Sequence, residues 1–289
     1  MLFFIRVLYL LVVLLNIFPL EYVNTDTDVD TNTDPVVNEI FKDSRKRKNL
    51  PCPFRSARAA PDEYVVKIVM ECAEMLTTAY RAAHGEPLLL RERRKAEEES
   101  GKSLEQLYGS EWVDNFMNYC YDRWEEMDRP ELITKYDRPT RMRNENHPMS
   151  KWVRQSRSHF LWTCHYAMEL AKEHLRRPLI SGKKATESMY IPYFEWFMDN
   201  VSTSSIPDDG WSDMPTCMDD DCTEESGDVV LSYRNWVNRK YRTYNIKYNQ
   251  KLPGTNKRKL IRIIDWKRDP SKRPSYITPG TRKDIIISY

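Results

Sequence analysis

A mainly α fold is predicted by three features of the chain. Apolar residues recur at three- and four-residue steps through several long segments. Glycine is scarce, eight residues against eight Trp and seventeen Tyr, which disfavours a turn-rich β protein. No stretch alternates apolar and polar residues as a strand ladder requires, and no internal repeat is visible. The expected architecture is a compact single helical domain built on two long core helices. An N-terminal hydrophobic leader precedes it and a basic C-terminal extension follows.

Residues 2–20 are nearly all apolar, interrupted by Arg6, Asn16 and Pro19, with an unbroken apolar run over 7–15. That length fits a signal-peptide core better than a membrane span. Phe18, Pro19 and Leu20 do not form a small-residue cleavage pattern, so signal peptide and uncleaved signal anchor both stay open, as does membrane association through 2–20. Residues 21–49 read as a disordered linker rich in Thr, Asp and Asn. It ends in Arg45-Lys46-Arg47-Lys48, a nuclear address or a solvated linker. The compartment is open between the secretory pathway or a membrane anchor and the nucleus, and the single sequon at Asn200-Val201-Ser202 does not decide it.

The folded region is expected over 50–250. Its first core helix runs over 62–84, where Val65, Ile68, Val69, Cys72, Met75, Leu76 and Ala79 share a face and Gly85 supplies the stop. Residues 86–145 read as an insertion. Its charged start at 86–102 is expected to be exposed. A helix over 110–127 turns Trp112, Phe116, Tyr119 and Trp124 inward, and a Pro- and Arg-rich connection follows.

Residues 146–177 are predicted to form one helix, about 45 Å long at the α-helical rise. Asn146 and His147 stand where an N-cap belongs, and Pro148 suits the first helical position. Trp152, Val153, Phe160, Leu161, Cys164, Met168, Ala171 and Leu175 share one face, and Pro178 is expected to stop the run. An aromatic cluster follows at 190–197, then an acidic loop at 205–227, a last helix over 228–248 and a basic tail over 251–289.

The net charge of +2 conceals segregation. Residues 228–289 hold sixteen Lys and Arg against four Asp and Glu, whereas 208–225 hold eight acids and no base. Such asymmetry suggests a segment that faces a polyanion. The six cysteines have no zinc-type spacing; Cys72 and Cys164 read as core residues, and Cys217 and Cys222 are able to pair in an oxidising compartment.

Three arrangements carry chemistry. Lys67, Glu71, Glu74 and Thr78 share the non-apolar face of the first helix. Such a stripe is ordinarily solvated, but in a cleft Glu71 is able to stabilise positive charge or move a proton. His147 is either a cap or a site residue. His159, His165 and His174 point to different sides of one helix, so neither a metal site nor a cofactor is expected. Tyr233, Arg234, Trp236, Arg239 and Lys240, with the cations and Trp266 that follow, combine phosphate-binding charge with rings that stack on bases.

Two segments resemble a phage and bacterial family. One is Pro61-Asp62-Glu63-Tyr64-Val65-Val66-Lys67-Ile68-Val69-Met70-Glu71, continuing through Ala73-Glu74-Met75-Leu76-Thr77-Thr78-Ala79. The other is His147-Pro148 followed by Trp152, Arg154, Ser156, Arg157, Leu161, Trp162 and Glu173. Tyr233-Arg234 is similar to that family's third block. The family is grouped with the pyrimidine-dimer DNA glycosylases of the phage endonuclease V type, and the resemblance spans about 110 residues in three blocks. It implies a mainly helical domain that excises a damaged pyrimidine and then cleaves the strand as an AP lyase. An amine attacks the sugar C1′ to form an imine, and a helix carboxylate stabilises the sugar cation. Glu71 falls on that carboxylate's position, and His147 on a histidine beside the DNA. Arg154 and Arg157 would line the DNA cleft.

The chain departs from that pattern in two ways. The characterised enzymes use the α-amine of an N-terminal residue, whereas about fifty residues precede the matching region here, and Tyr64 stands where His is usual. Lys67, one turn from Glu71, is the candidate replacement amine. The leading expectation is a DNA glycosylase and AP lyase acting on damaged or modified pyrimidines in double-stranded DNA as a monomer. Its rivals are a non-catalytic nucleic-acid-binding protein on the same scaffold and a membrane-tethered interaction protein whose basic tail meets anionic lipid.

Overall fold

The structure is a computed structural model that describes residues 51–140, 142, 144–180, 182–218, 222–247, 266 and 268–277. The leader, the 21–49 linker with its basic cluster, and the tail outside 266 and 268–277 lie outside the described residues. Among the described residues there are ten α-helices and no strand, in agreement with a mainly α class. No described helix is long and apolar enough to cross a membrane.

The first two helices are α1 (Pro53–Ala59) and α2 (Asp62–Ala83). Asp62 and Glu63 occupy the first turn of α2, where negative charge opposes the helix dipole favourably. At its end the His84 N–H bonds back to the Tyr80 carbonyl and Gly85 takes a positive φ of 85°. Four helices follow: α3 (Leu90–Ser100), α4 (Leu104–Tyr108), α5 (Ser110–Glu126) and α6 (Glu131–Lys135). The segment expected to be exposed at 86–102 is mostly so, with two exceptions. Glu86 and Arg93 are buried, because Glu86 pairs with the buried Arg81 at 2.8 Å and approaches Arg93 at 3.9 Å.

The expected single spine is two helices, α7 (Pro148–Gln155) and α8 (Arg157–Ile180). Ser156 interrupts them in an extended conformation, φ −152° and ψ 146°. Its Oγ accepts from the Ser158 N–H at 3.2 Å, and the Arg157 N–H turns away to the Pro207 carbonyl at 2.8 Å. The groups a continuous helix would satisfy internally are therefore satisfied by a cap and by the 206–208 loop. Pro178 does not stop the run; it sits inside the last turn.

Helix α8 is the centre of the packing, touching α1, α2, α7 and α9 (Ile191–Asn200). Trp162, Thr163, Cys164, Tyr166, Ala167 and Leu170 are buried in succession, so it is enclosed on nearly every side rather than along one stripe. Aromatic rings from α2, α5, α8 and α9 fill the space beside it. Phe116 meets Tyr193 at 4.7 Å and Trp196 at 5.1 Å, edge to face, and Phe160 meets Phe197 at 5.6 Å.

Glu169, Glu173 and Arg177 of α8 are buried because they are paired. Arg177, 1% exposed, donates through Nε to Glu173 at 2.8 Å, through Nη1 to Asp62 and the Ala60 carbonyl, and through Nη2 to the Arg58 carbonyl. Arg176 reaches Asp269, and the Arg268 N–H reaches Asp62, so the C-terminal segment is bolted to the same cluster. Trp266 completes the attachment: it is buried and donates to the Ala59 carbonyl at 3.0 Å. The basic tail thus contributes to the core where it is described, and Trp266 is no stacking platform for bases. The last helix, α10 (Val229–Lys247), starts within one residue of its expected span.

Candidate functional site

Helix α2 places Lys67 and Glu71 on successive turns, and the Lys67 Nζ lies 3.2 Å from Glu71 Oε1. Their side chains are 15% and 8% exposed, and Glu74 and Thr78 on the same stripe are buried as well. The stripe is therefore no solvated face. Val66 and Met70 beside it are 47% and 40% exposed, so the pair sits where an apolar edge of α2 reaches solvent. The Glu71 charge is felt inward: with burial as the larger cause, it raises the Cys72 thiol and contributes to the rise of the Tyr166 phenol. Tyr166 is held by stacking on Trp162 at 5.2 Å, and Trp162 is fixed by its bond to the Pro51 carbonyl.

His147 caps α7, its Nδ1 accepting from the Met149 N–H at 3.2 Å. An accepting Nδ1 places the proton on Nε2, which is enclosed without a hydrogen-bond acceptor among the described residues. Burial lowers the imidazole's pKa, which favours this neutral form. Helix α7 packs on α2, the helix that carries Lys67 and Glu71.

The expected DNA-facing residues divide. Arg154 folds back to donate to the Glu145 carbonyl at 2.6 Å, and burial lowers its pKa. Arg157 donates to the Ile206 carbonyl at 3.2 Å and lies 4.0 Å from Asp208, so it fastens the acidic loop. Tyr233 and Trp236 are 1% and 2% exposed and belong to the core; neither is placed to stack on a base. They follow the helical spacing of Val230 and Val237, a signal the sequence already held. Tyr233 donates to the Pro215 carbonyl and accepts from the Cys217 N–H, anchoring the acidic loop. Arg234 lies over the Tyr276 ring at 5.2 Å, Lys240 over Trp236 at 4.0 Å, and Arg239 donates to the Cys222 sulfur at 3.4 Å. Cys217 and Cys222 are buried free thiols, as are the four other cysteines.

Sequence reasoning missed Arg177, whose carboxylate partner Glu173 is visible as an i,i+4 spacing. Fold and site together define a helical protein with a largely buried amine–carboxylate pair at the edge of a core helix. Comparisons with protein-family models, curated proteins and solved structures find no match to this chain.

Proposed function

We propose that the chain is a DNA glycosylase with AP lyase activity, acting on damaged or modified pyrimidines in double-stranded DNA. The observation that carries the reading is the 3.2 Å approach of the Lys67 amine to the Glu71 carboxylate beside the exposed Val66 and Met70. A glycosylase–lyase needs an amine, a carboxylate within proton-transfer distance, and an apolar edge against which an extruded nucleotide rests.

In this scheme Lys67 gives a proton to Glu71, and its lone pair attacks the sugar C1′ as the bond from C1′ to the base breaks. The base leaves with that electron pair and takes up the proton the new ammonium nitrogen sheds. Glu71 gives its proton to the ring O4′ as the C1′–O4′ bond opens to the imine. As a carboxylate it then removes a C2′ proton, so that the 3′ phosphate leaves with the C3′–O electrons and the strand is cleaved. The carboxylate stands 3.2 Å from the amine whose proton it takes, so the two residues act as a unit. His147, as the cap of α7, holds that helix against α2 and so supports the pair from behind. On this reading the protein is a monomeric helical domain carried on α2 and α8, with a hydrophobic leader at 2–20 and a basic C-terminal extension.

The test is strand cleavage of an end-labelled duplex bearing one cyclobutane pyrimidine dimer. Nicking at the dimer by the full chain, lost in Glu71→Gln, is the expected result. A second reading, a binding protein on the same scaffold, draws on the Lys67 amine being already engaged by Glu71. It predicts salt-dependent binding without a nick.

A further inference from the structure

Away from the Lys67–Glu71 pair, α1, α10 and the 271–276 segment enclose an open trough of about 400 Å³. Arg55, Arg58, Arg234, Lys272 and Arg273 line it, and no lining residue is acidic. Arg58 reaches out to Glu169 at 2.8 Å. Aromatic rings hold two of the others: Arg234 lies over Tyr276 at 5.2 Å and Arg273 over Tyr241 at 5.0 Å. The two ring contacts orient these guanidinium groups, while Arg58 is already paired with a carboxylate.

Like charges gathered around one hollow repel each other, and a bound anion relieves that repulsion. Arginine forks match phosphate oxygens in geometry as well as charge. An open trough suits a chain of phosphates, whereas a free nucleotide is ordinarily held in a more enclosed, largely apolar pocket.

We infer that this trough binds backbone phosphates of the DNA, gripping the strand at a place distinct from the reacting centre. The inference rests on the nucleic-acid side of the function proposed above. It also assigns Arg55 and Arg58 a role that the sequence pattern did not suggest. The attachment of the 268–277 segment through Arg176–Asp269 and Arg268–Asp62 makes the trough part of the folded body.

The experiment measures fluorescence anisotropy of an undamaged duplex with the full chain, across a salt series. Arg55→Glu/Lys272→Glu is compared with wild type and with Lys183→Glu/Lys184→Glu, a reversal at two exposed lysines outside the trough. Thermal melts establish that each variant is folded; should the trough reversal unfold, Arg55→Gln/Lys272→Gln carries the same test. The trough variant is expected to lose about tenfold or more in affinity at low salt and to flatten the salt slope by about two, with the control within about twofold of wild type.

Equal affinity and slope in wild type and trough variant overturn the inference, as does a failure of wild type to bind duplex. Binding of dAMP as tight as that of duplex overturns the backbone assignment in favour of a free nucleotide. Dimer-specific nicking with unchanged binding in the trough variant sinks the inference and leaves the glycosylase reading standing. Trough-dependent binding by a wild type that never nicks does the reverse.

Discussion

Arg177 donates through Nε to Glu173 at 2.8 Å, with both side chains almost wholly removed from water. Asp62 and two backbone carbonyls take the rest of the guanidinium's hydrogen bonds, so one residue joins the end of α8 to α1 and the start of α2. Removing it leaves Glu173 to Arg176 and Asp62 to the Arg268 N–H, and takes the donor from the buried Ala60 carbonyl and from the Arg58 carbonyl. Arg177→Ala is expected to destabilise the protein by about 2–4 kcal/mol. Arg177→Lys recovers only part, because an ammonium cannot span the same fork. Urea denaturation of both variants checks this, and a loss below about 1 kcal/mol for the alanine would contradict it.

His159 makes the fold sensitive to acid. Its Nδ1–H donates to the Trp152 carbonyl at 2.8 Å, and its Nε2 accepts from the Ser212 N–H at 2.8 Å, so the ring must be neutral. Burial pushes its pKa down to about 4 from the ordinary 6.5. The folded state thus binds its proton less readily than the unfolded state. The stabilisation is complete above pH 6.5 and is lost as pH falls towards 4, with a ceiling of about 3 kcal/mol. Urea midpoints at pH 7, 5.5 and 4 are expected to fall more steeply for wild type than for His159→Gln; parallel curves would refute the assignment.

His147 separates capping from chemistry. His147→Asn keeps an oxygen to accept from the Met149 N–H, whereas His147→Ala loses the cap at a cost of about 1 kcal/mol. Melting temperatures should therefore rank Ala below Asn. Because the cap is what supports the pair, the asparagine variant is expected to nick like wild type and the alanine variant more slowly; slow nicking by a folded asparagine variant would contradict this.

Ser156 tests the break in the spine. Loss of its Oγ in Ser156→Ala removes the acceptor for the Ser158 N–H and is expected to cost about 0.5–2 kcal/mol. A variant as stable as wild type would show that the Arg157–Pro207 backbone bond sets the break without the cap.

The helices on the strongest apolar periods were legible from sequence. The first core helix and the 110–126 helix fall within a residue of their expected spans, and the last helix starts within one. The spine's interruption was not legible, because its cause lies some fifty residues away in the Pro207 carbonyl. Arg177, Glu173 and Glu169 look in sequence like members of a solvated face, and only tertiary pairing takes them inside. Tyr233 and Trp236 were misread for the opposite reason, since neighbouring cations drew attention from their helical spacing with Val230 and Val237. For the candidate site, the i,i+4 spacing of Lys67 and Glu71 was legible; their burial was not.

The most direct test is borohydride trapping on dimer-containing duplex, with the cross-linked peptide located by mass spectrometry. The account predicts a covalent adduct on the Lys67 side chain, absent in both Lys67→Ala and Glu71→Gln. An adduct that survives in Lys67→Ala, or no adduct from a wild-type protein that binds the duplex, would contradict it.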